Sequence, residues 1–180
     1  GMFPMSAMAA ESDEGGFLAG SKYLASGEFV DHEGNSIQTV NPDGSITINV
    51  TEGMNTFKFN YTTAQFEALA DKIDAVKFYK ADGTTEIGTG MLKAGKEYSI
   101  QVGTAFTPVS SFFADENATE TEIVMMVGFQ NIPPTSWAES ETYRIKVKRT
   151  VESSDEGGFF AGSKYLASGE FVDHEGNSIQ

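Results

Sequence analysis

The chain repeats its own beginning near its end. Residues 12–38 read SDEGGFLAGSKYLASGEFVDHEGNSIQ and residues 154–180 read SDEGGFFAGSKYLASGEFVDHEGNSIQ, an offset of 142 with one difference in 27 positions, Leu18 against Phe160. Solenoid repeats recur many times at periods of roughly 20–50 residues. Here one segment recurs once, across a domain length. The chain therefore reads as a unit over residues 11–151, which includes the segment 12–38, followed in 152–180 by a second copy of that segment. Ahead of the unit, GMFPMSAMAA (residues 1–10) is apolar and small, and Ala7-Met8-Ala9 has the small-x-small form of a signal-peptidase site. Residues 1–10 are expected to be a leader remnant or vector sequence.

Within the repeated segment, Phe17, Ala19, Ser21, Tyr23, Ala25, Gly27 and Phe29 share one face of an extended chain. That face is aromatic and small, suited to lying in a groove. The opposite face, from Leu18 to Val30, is more mixed and holds the single mismatch. A long strand that fills a slot in a neighbour's sandwich is a known recognition mode. In this pattern the two ends resemble the donor strands of pilus and other filament subunits, including self-complemented versions. The resemblance covers about a third of the chain and concerns architecture. It implies other copies of the same chain, head to tail, as partners. The donated residues would be Phe17, Ala19, Tyr23 and Phe29, with Phe159, Ala161, Tyr165 and Phe171 in the copy. The plainer alternative is that residues 17–30 are ordinary first strands and the repeat is an accident of gene fusion.

The body alternates. Ser36–Val40, Ser45–Val50, Asn55–Tyr61, Ala75–Lys80, Gly90–Lys93, Glu97–Val102, Glu122–Phe129 and Thr142–Val151 are predicted strands, with Ile46, Ile48 and Val50 on one side, then Phe57, Phe59 and Tyr61. Asp31-His32-Glu33-Gly34-Asn35, Asn41-Pro42-Asp43-Gly44 and Asp82-Gly83 mark turns. Between strands, Phe66, Leu69, Ala70 and Ile73 follow a helical period behind Thr62 and Gln65, which predicts one short helix over about 63–73. Eight or more short strands with one helix predict an all-β, immunoglobulin-like β-sandwich. The 103–120 stretch, with Phe106, Phe112 and Phe113 among polar residues, is either a loop over one face or an edge strand.

Composition narrows the function. A formal net charge of −14 gives no basic footprint for nucleic acid. No apolar run reaches the roughly 20 residues of a membrane-spanning helix. Without Cys there is no thiolate chemistry and no disulfide. His32 and His174 are one residue in two copies, no G-x-S-x-G or phosphate-binding glycine motif is present, and the abundance of acids makes any carboxylate pair uninformative. No enzyme and no resident cofactor are expected, although Asp31, Glu33 and Asn35 are oxygen ligands of a hardness that suits calcium.

Two further sets of residues are candidates. Arg144, Lys146 and Lys148 gather a third sign of order: they sit on one predicted strand, opposite in charge to the acidic repeat, and are expected to dock it. The bland reading of the same charges is a solvated edge strand protected from aggregation. Trp137, after Pro133 and Pro134, together with Phe112 and Phe113, would be the contact surface of a carbohydrate- or protein-binding module, unless Trp137 plugs the core. The expected function is a secreted or cell-surface structural subunit assembling by strand donation; a cell-surface binding module is the alternative.

Overall fold

The computed structural model describes residues 16–150. The expectations placed on residues 1–10 and 152–180, including Phe159, Ala161, Tyr165 and Phe171, lie outside the described residues. Among these, nine strands form two packed sheets: β1 (Leu24–Val30), β2 (Gln38–Val40), β3 (Ile46–Val50), β4 (Phe57–Thr63), β5 (Ile73–Lys80), β6 (Glu86–Gly90), β7 (Glu97–Val102), β8 (Glu120–Gln130) and β9 (Trp137–Arg149). The smaller sheet has the order β1-β4-β7 and the larger β2-β3-β9-β8-β5-β6. The pairs β4–β7, β5–β8, β8–β9 and β5–β6 are antiparallel. They correspond to the B–E, C–F, F–G and C–C′ neighbours of a variable-type immunoglobulin sandwich. The fold is the expected all-β sandwich.

Alternation builds the core. Phe57, Phe59 and Tyr61 of β4 are buried in succession, and Ile46, Ile48 and Val50 of β3 face them from the larger sheet's side of the same core cluster. The Asn41–Ser45 turn joins β2 to β3 as a hairpin: the Gly44 amide donates to the Asn41 carbonyl at 2.9 Å. The Asp31–Asn35 turn does something different. It carries the chain from the smaller sheet to the larger one, with only the Val30–Ser36 bridge across it.

The predicted helix over 63–73 does not form. Thr63 ends β4 and Ile73 begins β5. The backbone between them is committed to distant partners: the Ala64 amide donates to the Tyr23 carbonyl (2.8 Å), and the Ala64 carbonyl accepts from Gly95 (3.1 Å). Phe66 packs its ring edge-on to Tyr23 and Phe129. An isolated helix of this length is marginal, so these contacts decide the conformation. Two further predicted strands move: β9 begins at Trp137 rather than Thr142, and β6 shares only Gly90 with its predicted range. β6 lies at Glu86–Gly90, ahead of the predicted Gly90–Lys93, because it crosses close to β7 where side chains would clash. A Cβ on Gly90 would lie 2.3 Å from Ile100 and one on Gly88 2.7 Å from the Gln101 carbonyl.

The 103–120 stretch is the loop, not the edge strand. A single 3₁₀ turn, Val109–Phe112, buries Val109 and Phe112 against the core. Among the described residues no helix is long and apolar enough to cross a membrane.

One close approach is stricter than the rest. Gly128 of β8 has φ +151°, and a Cβ there would lie 2.2 Å from the Glu139 carbonyl oxygen of β9. Gly83 also has positive φ, +73°, but nothing lies within 4 Å of its Cβ position. Gly128→Ala is expected to cost about 2–4 kcal/mol in urea unfolding, from backbone strain and overpacking together. Gly83→Ala carries the dihedral penalty alone, about 1–2 kcal/mol.

Candidate functional site: the seat of the repeated segment

The first copy of the repeated segment is seated in the sandwich, but not as one continuous strand. Gly16–Gly20 is a turn closed by the Ala19 amide on the Gly16 carbonyl and the Ser21 amide on the Leu18 carbonyl, both 2.9 Å. Gly20, at φ +89°, supplies the left-handed residue that the turn requires. Extended structure begins at Leu24, and the β1–β4 register slips between Leu24 and Ser26, which bulges Ala25 outward. Each break shifts the inward face.

The four residues expected to be donated therefore divide. Tyr23 and Phe29 are buried, and Phe17 is half-buried against Phe29 and Tyr143. Ala19 is exposed on the turn, a departure from the single-face expectation. Its place inside is taken by Leu18, only 3% exposed, from the face read as mixed. Leu18 is also the position at which the two copies differ.

Phe29 sits at the centre of the seat. Its ring centroid lies 4.6 Å from Phe59, 5.9 Å from Phe57 and 5.8 Å from Phe78, so it touches both sheets. Its amide donates to Gln38 Oε1 at 2.8 Å, which ties β1 to the start of β2. On its outer edge β1 has no strand neighbour among the described residues; its ladder is to β4 alone.

Ahead of the ladder the segment lies against β9. Ser21 Oγ donates to Glu141 Oε1 at 2.6 Å, and the Lys22 amide donates to Glu141 Oε2 at 2.8 Å. The Tyr143 hydroxyl donates to the same carboxylate at 2.9 Å. Lys22 Nζ lies 3.9 Å from Glu139, and Phe17 meets the Tyr143 ring edge-on at 6.1 Å. The segment thus reaches the last strand through the acids of that strand. The residue that carries this contact, Glu141, was not singled out in the sequence. It lies about 120 positions from its partners, and no spacing marks it.

Arg144, Lys146 and Lys148 are engaged elsewhere. They stand across from acids of β8: Arg144 at 3.3 Å from Glu122, Lys146 at 3.8 Å and Lys148 at 3.7 Å from Glu120. The strand that carries them is interior over this stretch, since Thr47–Val50 of β3 runs parallel to Lys146–Arg149. Arg144 and Lys146 also border an open concavity shared with Asp43 and Glu122.

Phe112 and Phe113, expected at a ligand surface, are 5% and 6% exposed. Phe112 packs on Phe57, and the Arg149 guanidinium covers the Phe113 ring at 3.9 Å. Both are wall, not surface, and Phe106 is the exposed aromatic of that loop. Trp137 is half-buried at the start of β9, beside the Tyr79 hydroxyl. It is left without the two phenylalanines that would have completed a binding face.

At the 31–35 turn the Asp31 carboxylate accepts from the amides of Asn35 and Glu33 and from the Asn35 side chain. These bonds, with the Asn35 amide first, hold its carboxyl below the usual range. The oxygens set out for calcium thus serve the turn itself. Among the described residues no three His, Cys, Asp or Glu side chains gather as a metal site.

No protein-family model matches this chain, and no curated protein matches it.

Two outcomes follow from this geometry. Phe29→Ala is expected to lose about 3–5 kcal/mol in chemical denaturation, whereas Ala19→Ser stays within about 0.5 kcal/mol of the parent. Burial pushes the Tyr143 hydroxyl up to about 12, with Glu141 acting in the same direction and Ser21 against it. The folded state therefore holds this proton beyond the ordinary value of 10.0. Its contribution to stability is complete below that value and is lost as pH rises through about 12. Tyr143→Phe should flatten the fall of the denaturation midpoint across that alkaline window.

Proposed function

We propose that the protein is a structural subunit, secreted or displayed at a cell surface, that joins copies of itself head to tail by strand donation. The observation that carries this is the character of β1. It is an edge strand whose ladder is to β4 alone, tied at its end to Ile37 and Gln38, yet it delivers Phe29 into the middle of the core. Exchange of such a strand would break the ties to Ile37 and Gln38 but leave the ladders of the other strands in place, because the slot it leaves is bounded by β4 and by the aromatic side chains of both layers. The chain encodes the same strand a second time, with every inward aromatic kept. One slot cannot hold two copies, so the second copy enters another subunit only by displacing that subunit's own β1.

Strand exchange of this form is heterologous: the donor end of one copy meets the acceptor slot of the next. Such contacts propagate into filaments unless the rotation closes a ring. The single difference, Phe160 for Leu18, falls at a buried position, where an added ring atom is felt by its neighbours. The two copies are close competitors rather than equivalent ones.

Sedimentation velocity and negative-stain microscopy of the full chain and of a chain ending at Thr150 test the proposal. The full chain is expected to form end-to-end oligomers that lengthen with concentration. The shortened chain is expected to stay monomeric with little change in Tm, since its own β1 remains seated. Monomers of both chains across the concentration range would refute strand donation.

A further inference from the structure

The ladder between β1 and β4 does not by itself choose which segment enters the slot or in which register. Main-chain hydrogen bonds are the same for any extended segment. A slip by two residues also keeps inward side chains inward. Something outside the ladder must read the sequence of the incoming strand. The ladder starts at Leu24, and the residues just before it are where side-chain chemistry meets β9.

Building on the strand-donation reading, we infer that Glu141 is the specificity residue of the slot. Its carboxylate recognises the Ser-Lys pair of the repeated segment, Ser21-Lys22 at home and Ser163-Lys164 when the donor is a second copy of this chain.

The geometry is that of a two-point reader. One carboxylate oxygen takes the Ser21 hydroxyl at 2.6 Å and the other takes the Lys22 amide at 2.8 Å. Ser21 Oγ is itself held in place, because it accepts from the amides of Tyr23 and Leu24 at 3.2 and 3.0 Å. The hydroxyl proton is thereby aimed at Glu141. Tyr143 donates to the same carboxylate from its own strand and packs against Phe17, which fixes the reader from the other side. Glu139 adds a charge opposite Lys22 Nζ.

A register slip by two would bring Ala19 or Tyr23 to the place of Ser21, and neither offers a hydroxyl near its backbone. The wrong register leaves the carboxylate short of a donor, and hydrogen bonds to charged groups are the costly ones to lose. The sequence offers the match twice: GSKYL occurs at residues 20–24 and 162–166.

The test uses the full chain and a fluorescein-labelled synthetic peptide of residues 154–172, followed by anisotropy to equilibrium. The parent chain should take up the peptide. Ser163→Ala in the peptide should weaken uptake by the parent chain about tenfold or more, because the chain's own Ser21 still holds Glu141 against it. Glu141→Ala takes the reader from both competitors and should erase that difference between the two peptides, as coupled partners behave. Equal uptake of the two peptides by the parent chain, or a loss from Ser163→Ala that persists in the Glu141→Ala chain, would overturn the assignment. Uptake by neither chain would instead overturn strand donation. Glu141 would then be judged within its own subunit by amide hydrogen exchange. There the Lys22 amide should lose about tenfold of its protection in Glu141→Ala while the Phe29 amide keeps its own. Unchanged protection at Lys22 would reject the assignment in that case too.

Discussion

The contact on which this sandwich depends is the Phe29 ring wedged among Phe57, Phe59 and Phe78. Three of these rings belong to the smaller sheet and one to the larger, so a single cluster couples the layers. The smaller sheet has only three strands, and one of them is β1. Without β1, the inward face of β4 would lose its cover on one side. Fully burying a phenylalanine is worth about 1.5–3 kcal/mol from area alone, and ring pairs in these tilted and edge-on arrangements add to it. That combination of peripheral hydrogen bonding and central packing makes the strand necessary to the core.

The last strand divides its work along its length. Its second half is zipped between β8 and β3, with the basic side chains paired to acids across the sheet. These pairs are half exposed, and such pairs contribute little to stability. They suit the choice of strand neighbour better than the holding of it. The first half of β9 offers Glu139, Glu141 and Tyr143 to the repeated segment instead. Charge does help position that segment, with the signs reversed from the simplest expectation. Lys22 is the cation and the last strand supplies the anions.

Strands with a clear two-residue period were legible in the sequence, as β3, β4 and β7 show, and so were the Asn41–Ser45 and Asp82-Gly83 turns. Three elements were not. The period of Phe66, Leu69 and Ile73 matched a helix because the first two reach the same core from an irregular segment. β6 was displaced because its glycines answer to β7, a constraint that has no local signature. The first half of β9 was missed because Ala138, Glu139, Ser140 and Glu141 are too polar to read as a strand. The site was half legible for a related reason. Repetition pointed to the segment, and period 2 found Tyr23 and Phe29. The turn at Gly20 and the bulge at Ala25 then moved the inward face from Ala19 to Leu18.

Gly128 bears on all of this without bonding to the segment at all. The missing side chain there lets the Glu139 carbonyl approach to a distance no other residue would permit, and so sets the lateral position of the strand that bears Glu141. A hydrogen atom on one sheet strand is in effect the mould in which an anion's address is cast. A side chain added at Gly128 would consequently be felt by the seated strand although Gly128 never touches it.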